Sequence, residues 1–201
     1  TISSKGAGFY KHALVVLIVR FFGRKRIYHL HNKGVSTKQD HFFDNMLNRV
    51  VFKNADVIIL SKRLYSDVHK YVPENRVHTC PNGIPDLERE IKKVTQKSAN
   101  AMPEILFLSH LIESKGVFIL ADALKIVKSK GHTFHCMMIG GEGDVTKEQM
   151  RKKIKEYGLT GYVDVVGKKY GKEKQEAFMK TDIFVHPTYN DCLPLVLLDA
   201  M

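Results

Sequence analysis

Asp182-Ile-Phe-Val-His-Pro187, two residues of loop, then Asn190-Asp-Cys-Leu-Pro-Leu-Val-Leu-Leu-Asp-Ala-Met201 is the stretch on which the fold turns. A short apolar run stops at a proline, the chain turns, and a helix opens near Pro194. Proline suits the first turn of a helix, where its missing N–H costs nothing. A helix N-terminus offers free backbone N–H groups and a partial positive charge, so it suits a phosphate. Asp191 falls in the loop and Asp199 about two turns into the helix. That spacing suits a ligand carrying both phosphate and hydroxyls. It equally suits a buried helix start with two solvated acids, and spacing alone leaves both open.

Outward from this stretch, strand and helix patterns alternate. Strands are expected over residues 105–109, 133–139, 163–166 and 182–185, with helices over 117–130, 146–157 and 172–180. In the first half, strands over 26–31, 56–60 and 76–80 alternate with helices over 12–22 (read as buried), 40–54 and 62–72. Phe43, Leu47, Val50 and Val51 stand at helical spacing. Such alternation is the pattern of parallel sheets with helices on both faces, and ligands then bind beyond the carboxyl ends of the strands. Pro81-Asn82-Gly83-Ile84-Pro85 interrupts the rhythm, and residues 86–103 read as a linker or a surface helix. The fold class is α/β, in two doubly wound parallel-sheet domains over 1–83 and 84–201. Ser3-Ser-Lys-Gly-Ala-Gly8 reads as a flexible connector.

The chain has 201 residues, 44% hydrophobic and 26% charged, ordinary for a globular protein. It starts at Thr1 and stops at Met201, within a segment expected to continue as a helix. Material is therefore expected to be missing at both ends, leaving both domains incomplete, apolar surface exposed and this stretch alone inactive. Residues 1–76 hold fourteen Lys and Arg against five Asp and Glu, a balance of +9, and the remainder only +2. A phosphorylated ligand or an anionic membrane surface would suit that basic part, notably at Arg24-Lys-Arg26 after Phe21-Phe22. Nucleic acid is disfavoured, because no recognition module is visible. Cys80, Cys136 and Cys192 are odd in number and widely spaced, each in an apolar sequence setting. Neither a disulfide framework nor a zinc pattern fits them, and a reducing cytoplasm is the expected compartment. The longest apolar run, 13–19 extended to Phe22 across Arg20, is short of the roughly 20 residues that span a bilayer.

The loops after the strands hold the candidate groups. Ser109-His-Leu-Ile-Glu-Ser-Lys-Gly116 puts Lys115 just before a helix, where an ammonium can meet a diphosphate. Ile139-Gly-Gly-Glu-Gly143 allows close approach of backbone to ligand. Tyr28-His-Leu-His-Asn-Lys-Gly34 places His29 and His31 on one face of a strand. A two-histidine metal site is the alternative there, but no third ligand at fitting spacing accompanies them.

The segment from Asn190 to Met201 resembles the donor-site motif of family 4 glycosyltransferases, usually Glu-Gly-Phe-Pro-Leu-Val-Leu-Leu-Glu-Ala-Met. Here both Glu positions are Asp, Gly is Cys192 and Phe is Leu193; each acid keeps its charge but loses roughly 1.5 Å of reach. Lys115-Gly116 resembles the family's phosphate loop, with His110 where Arg is usual. Gly140-Gly141 resembles its Gly-x-Gly stretch, and Val165-Val-Gly-Lys168 its base-lining segment. The resemblance implies the GT-B fold and a retaining, metal-independent transfer of sugar from a nucleotide donor to a saccharide or lipid-linked acceptor. It implies an envelope or extracellular polysaccharide role, in the cytoplasm or peripheral on the inner membrane face. Donor contacts fall to His110, Lys115, Gly141, Gly167, Lys168, Cys192, Leu193, Leu195 and Asp199. Asp199 would accept two ribose hydroxyls, Asp191 would hold donor-sugar hydroxyls, and His31 would face the donor sugar. Ser61 and Asn82-Gly83 match as architecture and hinge. The rivals are a non-catalytic nucleotide-binding α/β protein and a sugar-nucleotide epimerase of similar fold.

Overall fold

Alternating burial builds both sheets. In the computed structural model, which describes residues 2, 6–84 and 102–201, the chain divides into two units. One comprises Thr1–Gly83 and Asp191–Pro194, the other Ile84–Asn190 and Leu195–Met201. Relative to a single cut after Gly83, the four residues Asp191–Pro194 join the first unit. Most of the stretch read as a linker or surface helix, residues 86–103, lies outside the described residues.

The first unit holds three parallel strands, β1 (Ile27–Leu30), β2 (Asp56–Ile59) and β3 (Val77–Thr79), in the order β1-β2-β3. Tyr28 pairs with Val57 and Leu30 with Ile59; all four are buried in one core with Val51, Phe52 and Val68. Helices α1 (Gly6–Phe21), α2 (Phe42–Phe52) and α3 (Tyr65–Val68) accompany them. The last carbonyls of a helix lack intrahelical donors. Here Arg20 donates to Val50 O at 2.6 Å, Tyr28 to Val51 O at 3.0 Å and Arg26 to Lys53 O at 2.8 Å. Two of the basic residues near the Phe21-Phe22 turn therefore close the end of α2.

Three expectations need correction here. The helix expected over 12–22 begins at Gly6, so Gly6–Ala7–Gly8 of the supposed connector are helical; Ser3 to Lys5 lie outside the described residues. Nor is that helix buried throughout: Phe9, Ala13 and Val16 are, while Leu14, Ile18 and Phe21 are 65%, 60% and 86% exposed. An apolar run with no polar face does not reveal which narrow stripe packs. The helix expected over 62–72 is a 3-10 turn, Lys62–Leu64, followed by α3. Pro73 biases Val72 away from helical angles.

The second unit holds β4 (Glu104–Leu108), β5 (His135–Ile139), β6 (Val163–Gly167) and β7 (Ile183–Phe184), all parallel, in the order β6-β5-β4-β7. Ile105, Phe107, Cys136, Met138, Val163 and Val165 belong to one core with α4 (Val117–Ser129) and α5 (Lys147–Glu156). Leu106 and Ile139 turn to the other face, against Ala177 of α6 (Gly171–Lys180). Residues alternate sides along a strand, so one sheet serves two helical layers. Thr146 and Gln149 form a capping box at the start of α5. The short helix α7 (Leu195–Asp199) opens directly after Pro194 and buries none of its residues. Cys136 is fully buried, and burial, with the Glu104 charge adding to it, pushes its thiol up to about 12. Cys80 is exposed, which corrects its expected apolar setting, and no cysteine is paired.

At the amino ends of the strands, His135 is held between two acids. Nδ1 lies 2.7 Å from Glu104 Oε2 and Nε2 3.0 Å from Asp164 Oδ2. Burial pulls the imidazole down, but the two carboxylates outweigh it and its pKa is raised. A raised histidine contributes stability below its unfolded value of about 6.5, and that contribution is lost as pH climbs through the folded value. The Asp164 side chain is 67% exposed, so solvent screens its share. His135→Gln should cost about 1 kcal/mol in urea unfolding at pH 6 and distinctly less at pH 9. An equal cost at both pH values would remove the electrostatic part of this account.

Candidate functional site

The order β6-β5-β4-β7 means that the chain runs outward from β4 to β6 and then returns to place β7 on β4's other side. In an open parallel sheet a ligand crevice lies where the order reverses, outside the carboxyl ends. Here that point is between the loops after β4 and β7. The two loops are fastened together. Tyr189 N donates to Ser114 O at 3.0 Å and Thr188 Oγ1 to the same oxygen at 3.3 Å. Gly116, at φ +77°, has no room for a Cβ, which would overlap the Pro187 carbonyl. Lys115 closes the 3-10 turn Glu113–Lys115 directly before that glycine. On the other side, Glu113 N donates to Asp144 Oδ1 at 2.9 Å and Leu111 N to Gly141 O at 2.7 Å. Three loops thus fix the backbone that carries Lys115.

His110 and Lys168 come together over Gly141. A Cβ there would stand 3.2 Å from His110 Nδ1 and would overlap the Lys168 side chain. At the end of β6, Gly167 takes φ +103°, and a Cβ on it would lie 2.7 Å from Lys147 Nζ. One imidazole and two ammonium groups therefore gather over bare glycine backbone at the ends of β5 and β6. Sequence reasoning missed Lys147. Its signal was a lysine in the first turn of a helix, where the dipole favours acids. Asp199 does not stand alone in solvent: Lys174 of α6 lies 2.5 Å from its Oδ2. Lys174 was also missed, since no spacing rule links positions 174 and 199. Leu195 opens α7, exposed.

In the first unit, His31 follows β1, exposed, with its ring 4.0 Å from that of His29. Burial, and then the neighbouring His31, lower the His29 pKa, and His29 Nε2 is buried without a protein partner. The loop after His31 is pinned by one carboxylate. Asp67, buried, accepts from the backbone N–H groups of Gly34, Val35 and Ser36 at 2.9, 3.0 and 3.0 Å and from Ser36 Oγ at 2.7 Å. Asp191–Pro194 lies in this neighbourhood. Asn82 Nδ2 donates to Leu193 O at 2.8 Å. Cys192 has its pKa raised by burial and by the charges of Asp67 and Asp191, opposed by a hydrogen bond with the Lys33 backbone. Asp191 is exposed. His31, Asp191, Cys192 and Leu193 thus belong to the first unit, and His110, Lys115, Gly141, Gly167, Lys168, Leu195 and Asp199 to the second. Among the described residues no three His, Cys, Asp or Glu side chains are grouped as metal ligands. Among them, too, no helix is long and apolar enough to cross a membrane.

Residues 88–201, more than half of the chain, match the family described as glycosyl transferases group 1, and the chain belongs to that family. It is similar to the amylovoran biosynthesis glycosyltransferase AmsK of Erwinia amylovora, 26% identical over 164 residues, which cover 75% of this chain and 38% of AmsK. It is similar in structure to HepE of Anabaena in complex with UDP, with a TM-score of 0.70 and 18% identity over 94% of this chain and 54% of that one. Sucrose-phosphate synthase from Thermosynechococcus elongatus gives a TM-score of 0.68 and 17% identity over 94% and 51%. The chain thus spans about two-fifths of the curated relative and about half of each of these structures. The fold is that of the GT-B glycosyltransferases.

Two glycines at positive φ separate strain from overlap. Gly131 has φ +82° and open space around its Cα, whereas Gly116 meets Pro187. Gly131→Ala should cost about 1 kcal/mol, and Gly116→Ala at least about 2 kcal/mol, in urea unfolding. Equal costs would mean that the two loops are not in contact.

Proposed function

We propose that the full-length protein is a retaining glycosyltransferase that moves a sugar from a nucleoside-diphosphate donor to an acceptor hydroxyl. The observation that carries this is the cationic, glycine-floored end of the second sheet at its point of strand reversal. There Lys115, His110 and Lys168, with Lys147 beside them, take the donor's diphosphate. Gly141 and Gly167 let backbone approach the ligand. The N–H groups of Leu193 and Leu195 are further phosphate donors, with Cys192 in the same segment; Pro194 has none to give. Asp199 accepts the ribose hydroxyls, for which an ionised carboxylate has the lone pairs. To the first unit fall contacts with donor-sugar hydroxyls, at Asp191 and His31. No metal or other cofactor is required, because fixed cations and backbone donors stabilise the leaving diphosphate. The name of AmsK, amylovoran biosynthesis, supports a place in polysaccharide synthesis; we further propose that the polysaccharide is an envelope or extracellular one, made on the cytoplasmic side, with a saccharide or lipid-linked acceptor.

Calorimetry of the full-length protein with UDP-, GDP- and ADP-sugars tests this. Lys115→Ala and Asp199→Ala should each weaken the preferred donor about tenfold or more, the value of a charged hydrogen bond. Unchanged affinity in both variants would overturn the assignment. Binding without transfer would point to a non-catalytic protein, and release of a free, altered sugar to an epimerase.

The exposed apolar side of α1 supports peripheral contact with an anionic membrane. Leu14, Ile18, Phe21 and Phe22 are solvent-facing, and Arg24 and Lys25 follow them in the turn. Apolar burial and attraction to anionic lipid add together at such a surface. Vesicles containing phosphatidylglycerol should retain the protein in flotation, and Phe21→Ser with Phe22→Ser should release most of it. Equal retention by neutral vesicles would dismiss the electrostatic part.

A further inference from the structure

Lys174 and Asp199 are 25 positions apart in sequence and meet at 2.5 Å, with side chains only 30% and 16% exposed. Ion pairs between solvated side chains contribute little, but this one is mostly shielded. Its ammonium also lies 6.0 Å from the centre of the Phe178 ring, one turn further along α6. A charged stem resting beside an aromatic ring is less free to wander than one in water. The shielded pair has a directional consequence. An ionised carboxylate offers about four lone-pair sites on two oxygens. The lysine engages Oδ2, which restrains the group and leaves lone pairs on both oxygens unused by that contact.

We propose that Lys174 is a positioning residue that aims Asp199 at a vicinal diol, the ribose 2′ and 3′ hydroxyls of the donor nucleotide. This rests on the role given to Asp199 above and adds to it the group that holds the carboxylate in place. Aspartate has one methylene fewer than glutamate, so its carboxylate has less reach with which to follow a misplaced ligand. A fixed cation on one oxygen makes up for that by holding the acid in one orientation before the ligand arrives. Pre-ordering of this kind lowers the cost of binding without adding a contact. Lys174 therefore acts on nucleotide affinity and on discrimination between ribose and dideoxyribose, and leaves the chemical step alone.

The test uses calorimetry on the full-length protein with UDP, GDP and ADP and their 2′,3′-dideoxy counterparts, comparing wild type, Lys174→Met and Lys174→Arg. Wild type should prefer the ribonucleotide at least about tenfold, the value of a single hydrogen bond to a charged acceptor. Lys174→Met should weaken the ribonucleotide by about that factor, leave the dideoxynucleotide nearly unchanged and so bring the ratio close to one. Lys174→Arg, which keeps the charge, should recover most of the preference. In turnover, Lys174→Met should raise the donor KM while kcat at saturation stays within about twofold. A general structural defect would instead weaken both nucleotides alike, and that result, or a preference intact in Lys174→Met, overturns the proposal while the donor assignment stands. Failure of wild type to bind any of the six nucleotides would overturn both.

Discussion

Parallel strands cannot be joined by a tight turn, so every connection in these sheets must cross a face and begin again at the far end. The loops that leave the carboxyl ends are consequently crowded together. In the second unit they touch backbone to backbone, and the sequence yields at those points. Gly116 meets the Pro187 carbonyl, and a Cβ on Gly140 would overlap the Ser109 carbonyl. The glycines are a requirement of the crossing geometry before they are anything to a ligand. Having removed side chains from that end of the sheet, the fold lets His110, Lys147 and Lys168 close over glycine backbone, with Gly141 and Gly167 buried.

The two ends of the same sheet have opposite chemistry. At the amino ends an imidazole is satisfied by two carboxylates on neighbouring strands, a closed arrangement that ties β4, β5 and β6 together. At the carboxyl ends ammonium groups stand over glycine. The first unit uses its charges differently again. Arg20 and Arg26 close a helix, and Asp67 gathers three backbone donors and a hydroxyl to shape the loop after His31. Basic residues counted from the sequence as available to a ligand or a membrane are thus partly spoken for by the chain itself.

The alternation of strands and helices was legible because the centre of the second sheet is apolar and buried on both faces, as Ile105–Leu106–Phe107 illustrates, while β6 alternates buried and exposed positions. A helix start could be read where local chemistry marks it, at Pro194. The exposed side of α1 was not legible, because Leu14, Val16 and Ile18 are alike as letters and differ only in what lies opposite. Of the candidate site, His110, Gly141 and Lys168 were found through motif positions, and the structure draws them together. Lys147 and Lys174 escaped: the first was marked only by a basic residue in a helix's first turn, and no sequence interval links the second to Asp199. The pairing of Asp199 in particular depends on how α6 is laid against the end of the chain.

Cys136 lies near the start of β5 with its thiol pushed up to about 12. Nucleophilic attack and oxidation proceed through the thiolate, a form almost unpopulated at neutral pH for such a group. Alkylating reagents and peroxide will therefore meet an inert atom in the core, while Cys80 at the surface stays open to them. With the partly buried Cys192 replaced by serine, a fluorophore or spin label can thus be attached near Asn82 by simple maleimide chemistry without disturbing the interior of the second sheet.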